Sequence, residues 1–215
     1  MRLIDDALVA RASQVSEESG QPVSCREGCG ACCRQLVPVT EIEAHALLAL
    51  VESLPDERRA NVQARFETAI SDLTKAGLIA AVRDASSLAR QQLRDLGRRY
   101  FHLCIACPFL EDERCSIYQQ RPLICREFLV ISPPERCQTF GNVERLPLQG
   151  RLRRELGTGK RGRSSWVPLL LAQECAIANT ETDQTDDPRP GPELLAEALG
   201  TQLRDTKQGS GLTPV

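Results

Sequence analysis

The sequence predicts a mainly helical fold in which a helical insert is flanked by two cysteine-rich irregular regions. Three observations predict it. Apolar residues between positions 40 and 99 recur at helical spacing, strand-like alternation is scarce along the whole chain, and all of the ten cysteines except Cys175 fall into two stretches, residues 25 to 33 and 104 to 137. The length of 215 residues, with 41% hydrophobic and 26% charged, suits one compact domain with an appendage. The expected division is a cysteine-rich unit with its insert over residues 1–145, a basic link and short apolar helix over 146–178, and a linker and tail over 179–215.

The insert opens with TEIEAHALLALVESL. Thr40 is a polar cap, Glu43 follows three residues later, and Ile42, Leu47, Leu48 and Val51 supply the apolar positions of a helix. A second helix begins near Pro55 and Asp56, carries Val62, Phe66, Ala69, Ile70 and Leu73 on one stripe, and ends around Gly77. A third covers roughly Ser86 to Arg99. From Tyr100 to Phe140 the texture changes to short apolar pieces broken by proline, cysteine and charged turns, with six of the eight aromatics. The core of this half is expected to assemble around its cysteines. Beyond it come a basic glycine-rich link, GRLRRELGTGKRGR (residues 150 to 163), a short apolar helix around WVPLLLAQECAIAN, a linker, TETDQTDDPRPGP, and a terminal helix in ELLAEALGTQLRD.

A formal net charge of -2 and a pI near 5.8 provide no global attraction to nucleic acid or an anionic membrane. MRLIDDALVARAS lacks the basic start and long apolar run of a secretory signal, and no stretch approaches the roughly 18 apolar residues of a membrane span, so a cytoplasmic location is expected. In a reducing compartment, ten cysteines point to metal binding or redox chemistry and away from a disulfide framework.

CREGCGACCR places Cys25, Cys29 and Cys32 at C-x3-C-x2-C spacing, with Gly28 and Gly30 relaxing the backbone so that several sulfurs can turn to one centre. Cys33 is harder to place. Adjacent residues send their side chains in different directions, so Cys32 and Cys33 do not easily share one tetrahedral ion. The pair argues for a second centre or a polynuclear cluster, and either demands more sulfur. CIACPFLEDERCSIYQQRPLICREF supplies Cys104, Cys107, Cys115 and Cys125, with Cys137 beyond. If the insert is a hairpin-like excursion, the two lobes meet at its base and bring eight or nine sulfurs to one site. Thiolates in that number need positive neighbours, for which Arg34, Arg121 and Arg126 are placed, while Pro108 and Pro122 stiffen the turns that aim Cys107 and Cys125. Of the two histidines, His45 reads as an ordinary helix residue. His102, two residues before Cys104, has a weaker claim to supporting a ligand than to packing.

The pairing of CREGCGACC with a downstream CPFL and C-x-IY-x-x-RP-x-x-CR, here Cys107, Cys115, Ile117, Tyr118, Arg121, Pro122, Cys125 and Arg126, resembles the YkgJ family of bacterial cysteine-cluster proteins, described as zinc- or iron-chelating. The likeness covers roughly residues 20 to 140. It implies eight metal ligands: Cys25, Cys29, Cys32, Cys33, Cys107, Cys115, Cys125 and Cys137. Cys104 and Cys175 are then spare, although Cys104 forms a C-x-x-C with Cys107 and could replace one of the eight; Cys175 reads as a core residue.

Zinc and iron-sulfur clusters both accept four cysteines, and the scarcity of histidine favours all-sulfur coordination in either case. Iron-sulfur is taken first, on the number and closeness of the sulfurs and the adjacent pair. The same spacing occurs in radical S-adenosylmethionine enzymes, but those are strand-rich and commonly carry an aromatic where this chain has Ala31. Flagellin lysine N-methylases carry a similar cluster, which makes a small protein-modifying or electron-transfer enzyme the alternative. No glycine-rich nucleotide loop accompanies the motif, however. A third reading is an interaction module using residues 150 to 163. That run has six basic residues and one acidic, but no interleaved aromatics for base stacking, so nucleic acid is not expected as a partner.

Overall fold

The computed structural model describes residues 14, 16 to 18, 20, 22 to 146 and 166 to 180, and the protein is mainly helical with little sheet. The basic link, the linker and the terminal helix expected near 193 lie outside the described residues. A short strand β1 (Pro38–Thr40) leads into α1 (Glu41–Glu52), followed by α2 (Asp56–Lys75), α3 (Ile79–Arg83) and α4 (Arg90–His102). The second cysteine stretch carries the hairpin β2 (Leu110–Glu111) and β3 (Arg114–Cys115), then α5 (Leu123–Glu127). After the undescribed link come β4 (Trp166–Pro168) and α6 (Ala172–Thr180).

The helix ends follow from local chemistry. Thr40 Oγ1 accepts from the Glu43 N–H at 3.2 Å while Glu43 Oε2 accepts from the Thr40 N–H at 2.9 Å, closing the expected capping box. α2 stops in a Schellman turn: Gly77, at φ +68°, donates to the Thr74 carbonyl, and the Leu78 N–H reaches back to Leu73 at 2.9 Å. α4 begins four residues later than expected. Its first turn is preceded by a 3-10 turn at Ala85–Ser87 and fastened by the Gln92 side chain, which accepts from the Ala89 N–H.

Two apolar clusters form the core. In one, Val39, Ala44, Leu47, Val51, Val62 and Phe66 meet Phe109 and Ile117 from the second cysteine stretch. In the other, Leu73, Val82, Leu96 and Tyr100 close the far end of the helices. Residues 169 to 171 join them. These three leucines form a 3-10 turn, whose three residues per turn point in three directions, so that Leu169 enters the first cluster and Leu170 and Leu171 the second.

Three expectations change. Ile42 is 73% exposed, because the buried stripe of α1 runs through Ala44, Leu47 and Val51, and Ile42 stands on the opposite side of the helix. The helix expected from residue 166 starts at Ala172. Residues 166 to 168 instead pair antiparallel with β1, Pro38 opposite Pro168 and Thr40 opposite Trp166, since a residue before proline favours extended backbone and β1 offers an open edge. Finally, the second cysteine stretch does not assemble around sulfur alone, because Phe109 and Ile117 are anchored in the main apolar cluster.

Cys104 follows the last residue capping α4 and sits in the left-handed region at φ 53°, a position that usually selects glycine. Cys104→Gly is expected to stabilise the metal-free protein by about 0.5 kcal/mol, raising Tm by about 1–2 °C, because relieved left-handed strain of roughly 1 kcal/mol outweighs the extra unfolded-state entropy of glycine. Thermal unfolding of the pair checks this, and a lower Tm would show the thiol to be engaged in the fold.

Candidate metal centre

The two cysteine lobes lie against each other at the base of the helical insert. The first lobe runs through a tight turn, with the Cys29 N–H bonded to the Arg26 carbonyl, the Cys33 N–H to Gly30 and the Gln35 N–H to Cys32. The Cys33 carbonyl accepts from the Cys107 N–H at 2.7 Å, which ties the first lobe to the second. At its other end, the Ser24 N–H donates to the Val130 carbonyl at 2.7 Å, and the Cys25 Sγ accepts from the Val130 N–H at 3.3 Å. Residues 129 to 131 pair in turn with 144 to 146, through Leu129 and Leu146 and through Ile131 and Glu144. Cys107 precedes the β2–β3 hairpin and Cys115 ends it, Cys125 lies on α5, and the buried Cys137 lies on a 3-10 turn at Pro134–Gln138.

All ten cysteines are free thiols. Cys32 stands at the centre of their electrostatics, its charge acting on Cys25, Cys107, Cys115, Cys125 and Cys137. A hydrogen bond from Cys33 holds Cys32 below the ordinary thiol range and drives Cys33 well above it, so the pair keeps one proton between them. Burial pushes Cys107 up to about 12 and Cys137 up to about 11, and it raises Cys25, Cys115 and Cys125, with neighbouring thiolates acting in the same direction. The donor set fits a soft cation, which relieves both the desolvation and the mutual repulsion. Among the described residues, no three His, Cys, Asp or Glu side chains converge closely enough to hold an ion.

Of the three arginines expected nearby, Arg121 fills the role most fully. Its guanidinium lies 3.9 Å over the Tyr118 ring, its Nε is buried without a hydrogen-bond partner, and its charge favours the thiolates of Cys25, Cys32, Cys115 and Cys125. Arg126 favours the Cys115 thiolate and braces the turn by donating to the carbonyls of Arg121 and Gln119. Arg34 is drawn outward, forming two hydrogen bonds with Glu113 at 2.9 and 2.5 Å that clamp the lobes at the surface. His102 is exposed and packs its ring beside Phe101, while His45 is half-buried on α1. Cys104 is exposed, and Cys175 is half-buried on α6.

Two contributors carried no readable signal in the sequence. Arg65 on α2 donates to the Pro108 carbonyl at 2.6 Å and pairs with Glu111, and its charge favours the Cys107 thiolate. Glu43, legible only as a capping residue, uses its second oxygen to accept from the Leu123 N–H at 2.7 Å, fixing the start of the helix that carries Cys125. Both act across more than forty residues of chain, and nothing local marks them.

Gly30 lies where the two lobes approach closely. A Cβ there would stand 2.5 Å from the Glu113 carbonyl oxygen and 2.7 Å from Leu110 Cδ1. Gly30→Ala is expected to push the hairpin away from the first lobe at a cost of about 1–3 kcal/mol, with weaker metal retention. Denaturant unfolding and metal content of the purified variant check this, and an unchanged midpoint would show that the lobes do not need this contact. Beside it lies a cleft of about 530 Å³, with Cys29 and Cys104 on its wall.

No curated protein and no solved structure matches the chain. One family does, CxxCxxCC, described as a putative zinc- or iron-chelating domain, over residues 24–146. The matched stretch begins one residue before Cys25 and ends at Leu146. It therefore takes in both cysteine lobes, the helical insert between them, and the pairing of residues 129 to 131 with 144 to 146 that holds the Cys25 anchor in place. On a match covering more than half of its length, the chain belongs to the CxxCxxCC family of cysteine-cluster proteins.

Proposed function

We propose that this protein binds zinc or iron through thiolates supplied by both lobes, with Cys25, Cys29, Cys32 and Cys33 from the first and Cys107, Cys115, Cys125 and Cys137 from the second. The observation that carries this reading is the 2.7 Å bond from the Cys107 N–H to the Cys33 carbonyl, which brings together two cysteine-rich lobes that the helical insert separates in the chain. Arg121, Arg65 and Arg126 supply the counter-charge that favours deprotonation before a metal arrives. Zinc would close the lobes structurally, and an iron-sulfur cluster would add one-electron chemistry.

The experiment is anaerobic purification followed by elemental analysis and a visible spectrum on the same sample. Brown protein with iron and acid-labile sulfide assigns the cluster, and colourless protein with zinc assigns the closed structural site. Protein that retains neither metal, and takes up neither on reconstitution, overturns the reading.

A further inference from the structure

The outer side of α4 carries a stripe of like charge. Arg90, Arg94 and Arg98 are exposed and follow one another at intervals of four residues, so they share one side of the helix. Successive arginines stand about 6 Å apart along its axis. Leu96 and Tyr100 occupy the buried side, with Leu93 packed beside them. Like charges at this spacing repel and weaken the helix that holds them, so the stripe calls for a counter-charge. Among the described residues, Arg90 and Arg94 form no ion pair and no side-chain hydrogen bond. Asp95, the one acidic residue in the helix, accepts from Gln91 instead. Arg98 rests over the Phe140 ring, 5.9 Å from its centroid, which holds the end of the stripe in place without neutralising it.

A counter-charge is present in the same chain. Directly after α6 ends at Thr180, the sequence reads ETDQTDDPRPGPELLAE over residues 181 to 197, with six acidic residues against Arg189 alone. That segment lies outside the described residues, but the elements it departs from pack close to α4. Leu170 and Leu171, just ahead of α6, belong to the apolar cluster that buries Leu96 and Tyr100. Glu174, in the first turn of α6, pairs at 3.2 Å with Arg83, which ends the helix preceding α4. A segment of this length extends up to about 56 Å, and a domain of this size has a radius of gyration of about 16 Å, so the stripe is within its reach. The net charge of -2 provides no long-range attraction for a separate polyanion, whereas a tethered acidic segment meets the stripe at high effective concentration.

We propose that the acidic segment of residues 181 to 197 folds back onto the arginine stripe of α4, where charge holds it and salt releases it. The docked segment lies beside the cleft of Cys29 and Cys104, because the Phe140 ring under Arg98 is 5.7 Å from Phe101, and Phe101 forms part of the cleft wall. The contact needs no metal.

The test uses the full chain carrying Arg94→Lys, which keeps the charge and provides an amine that a carbodiimide couples to a neighbouring carboxylate. Peptide mass spectrometry of the monomeric product reads which carboxylates are joined to which amines. Coupling of position 94 to the acids of residues 181 to 197 is expected to exceed that of Lys75, an exposed lysine at the end of α2, by about fivefold, the effect of a few weak surface ion pairs. At about 0.5 M NaCl, where the Debye length is about 4 Å, it is expected to fall to the Lys75 level. In a mixture of isotope-labelled and unlabelled chains, the links are expected within single chains only. Equal coupling at position 94 and Lys75, coupling that survives the salt, links that join labelled to unlabelled chains, or tail carboxylates joined to Lys160 of the basic link and not to position 94 would each overturn the proposal.

Discussion

Stripping the metal from the loaded protein with a chelator is expected to leave α2 folded while the cysteine lobes lose hydrogen-exchange protection. The reason is the unequal distribution of apolar contact. Val62, Phe66, Ala69 and Leu73 hold α2 in both apolar clusters, so its burial does not depend on any thiol. Residues 22 to 35 contribute little buried apolar surface, and binding free energies on the order of 10 kcal/mol for structural zinc show how much of such a segment's order a metal can carry. The loss is expected to be graded. Residues 22 to 35 and 118 to 140 lose most protection, whereas 107 to 117 retain part of theirs because Phe109 and Ile117 remain packed in the core. The Val130 amide is the sharpest reporter, since its hydrogen-bond acceptor is the Cys25 sulfur. Hydrogen exchange read by mass spectrometry checks the pattern. Protection that does not change, or that falls evenly along the chain, would contradict a metal-dependent lobe on a metal-independent helical base.

Phe109→Ala is expected to produce the largest loss of stability from a single substitution in the second lobe, about 3–5 kcal/mol. The ring is 1% exposed and meets Phe66 edge-on, with centroids 5.5 Å apart and an interplanar angle of 85°. It lies two residues after Cys107, so removing it creates a cavity at the joint between α2 and the hairpin and loosens the hold on Cys107 and Cys115. Denaturant unfolding measures the first effect, and competition with a zinc chelator the second. Ile42→Ala provides the contrast. At 73% exposure, its change is expected to stay within about 0.5 kcal/mol. A loss below 1 kcal/mol for Phe109→Ala would show that the lobe is held by its sulfurs alone.

The parts of the fold that were legible in the sequence are those decided within a few residues. Thr40 and Glu43 form a cap from adjacent turns, and Gly77 ends α2 because a glycine tolerates the left-handed turn there; both are local bargains between backbone and side chain. The stripe from Val62 to Leu73 was legible for the same reason, since helical periodicity needs no knowledge of the partner it packs against. Ile42 was misplaced because hydrophobicity alone does not say which side of a helix faces the core. Trp166–Pro168 was misread because its strand exists only through pairing with residues 38 to 40, more than a hundred positions away.

By itself, the sequence determined that this is a mainly helical chain with too much clustered sulfur for chance, in a two-part motif that resembles a cysteine-cluster family, and with an adjacent cysteine pair that does not easily serve one ion. Residue type and spacing suffice for that, because thiol chemistry and turn geometry are local. Only the tertiary structure decided which sulfurs neighbour which: that Cys33 is tied to Cys107 while Cys25 is tied to Val130, that Arg121 and Arg65 meet the thiols while Arg34 turns out to Glu113, and that Glu43 reaches from a helix cap to the base of α5. Those relations depend on how the helical insert returns the chain to its starting point. That return is governed by the burial of Phe66, Phe109 and the residues packed around them, a property of the whole core that no short stretch of sequence displays.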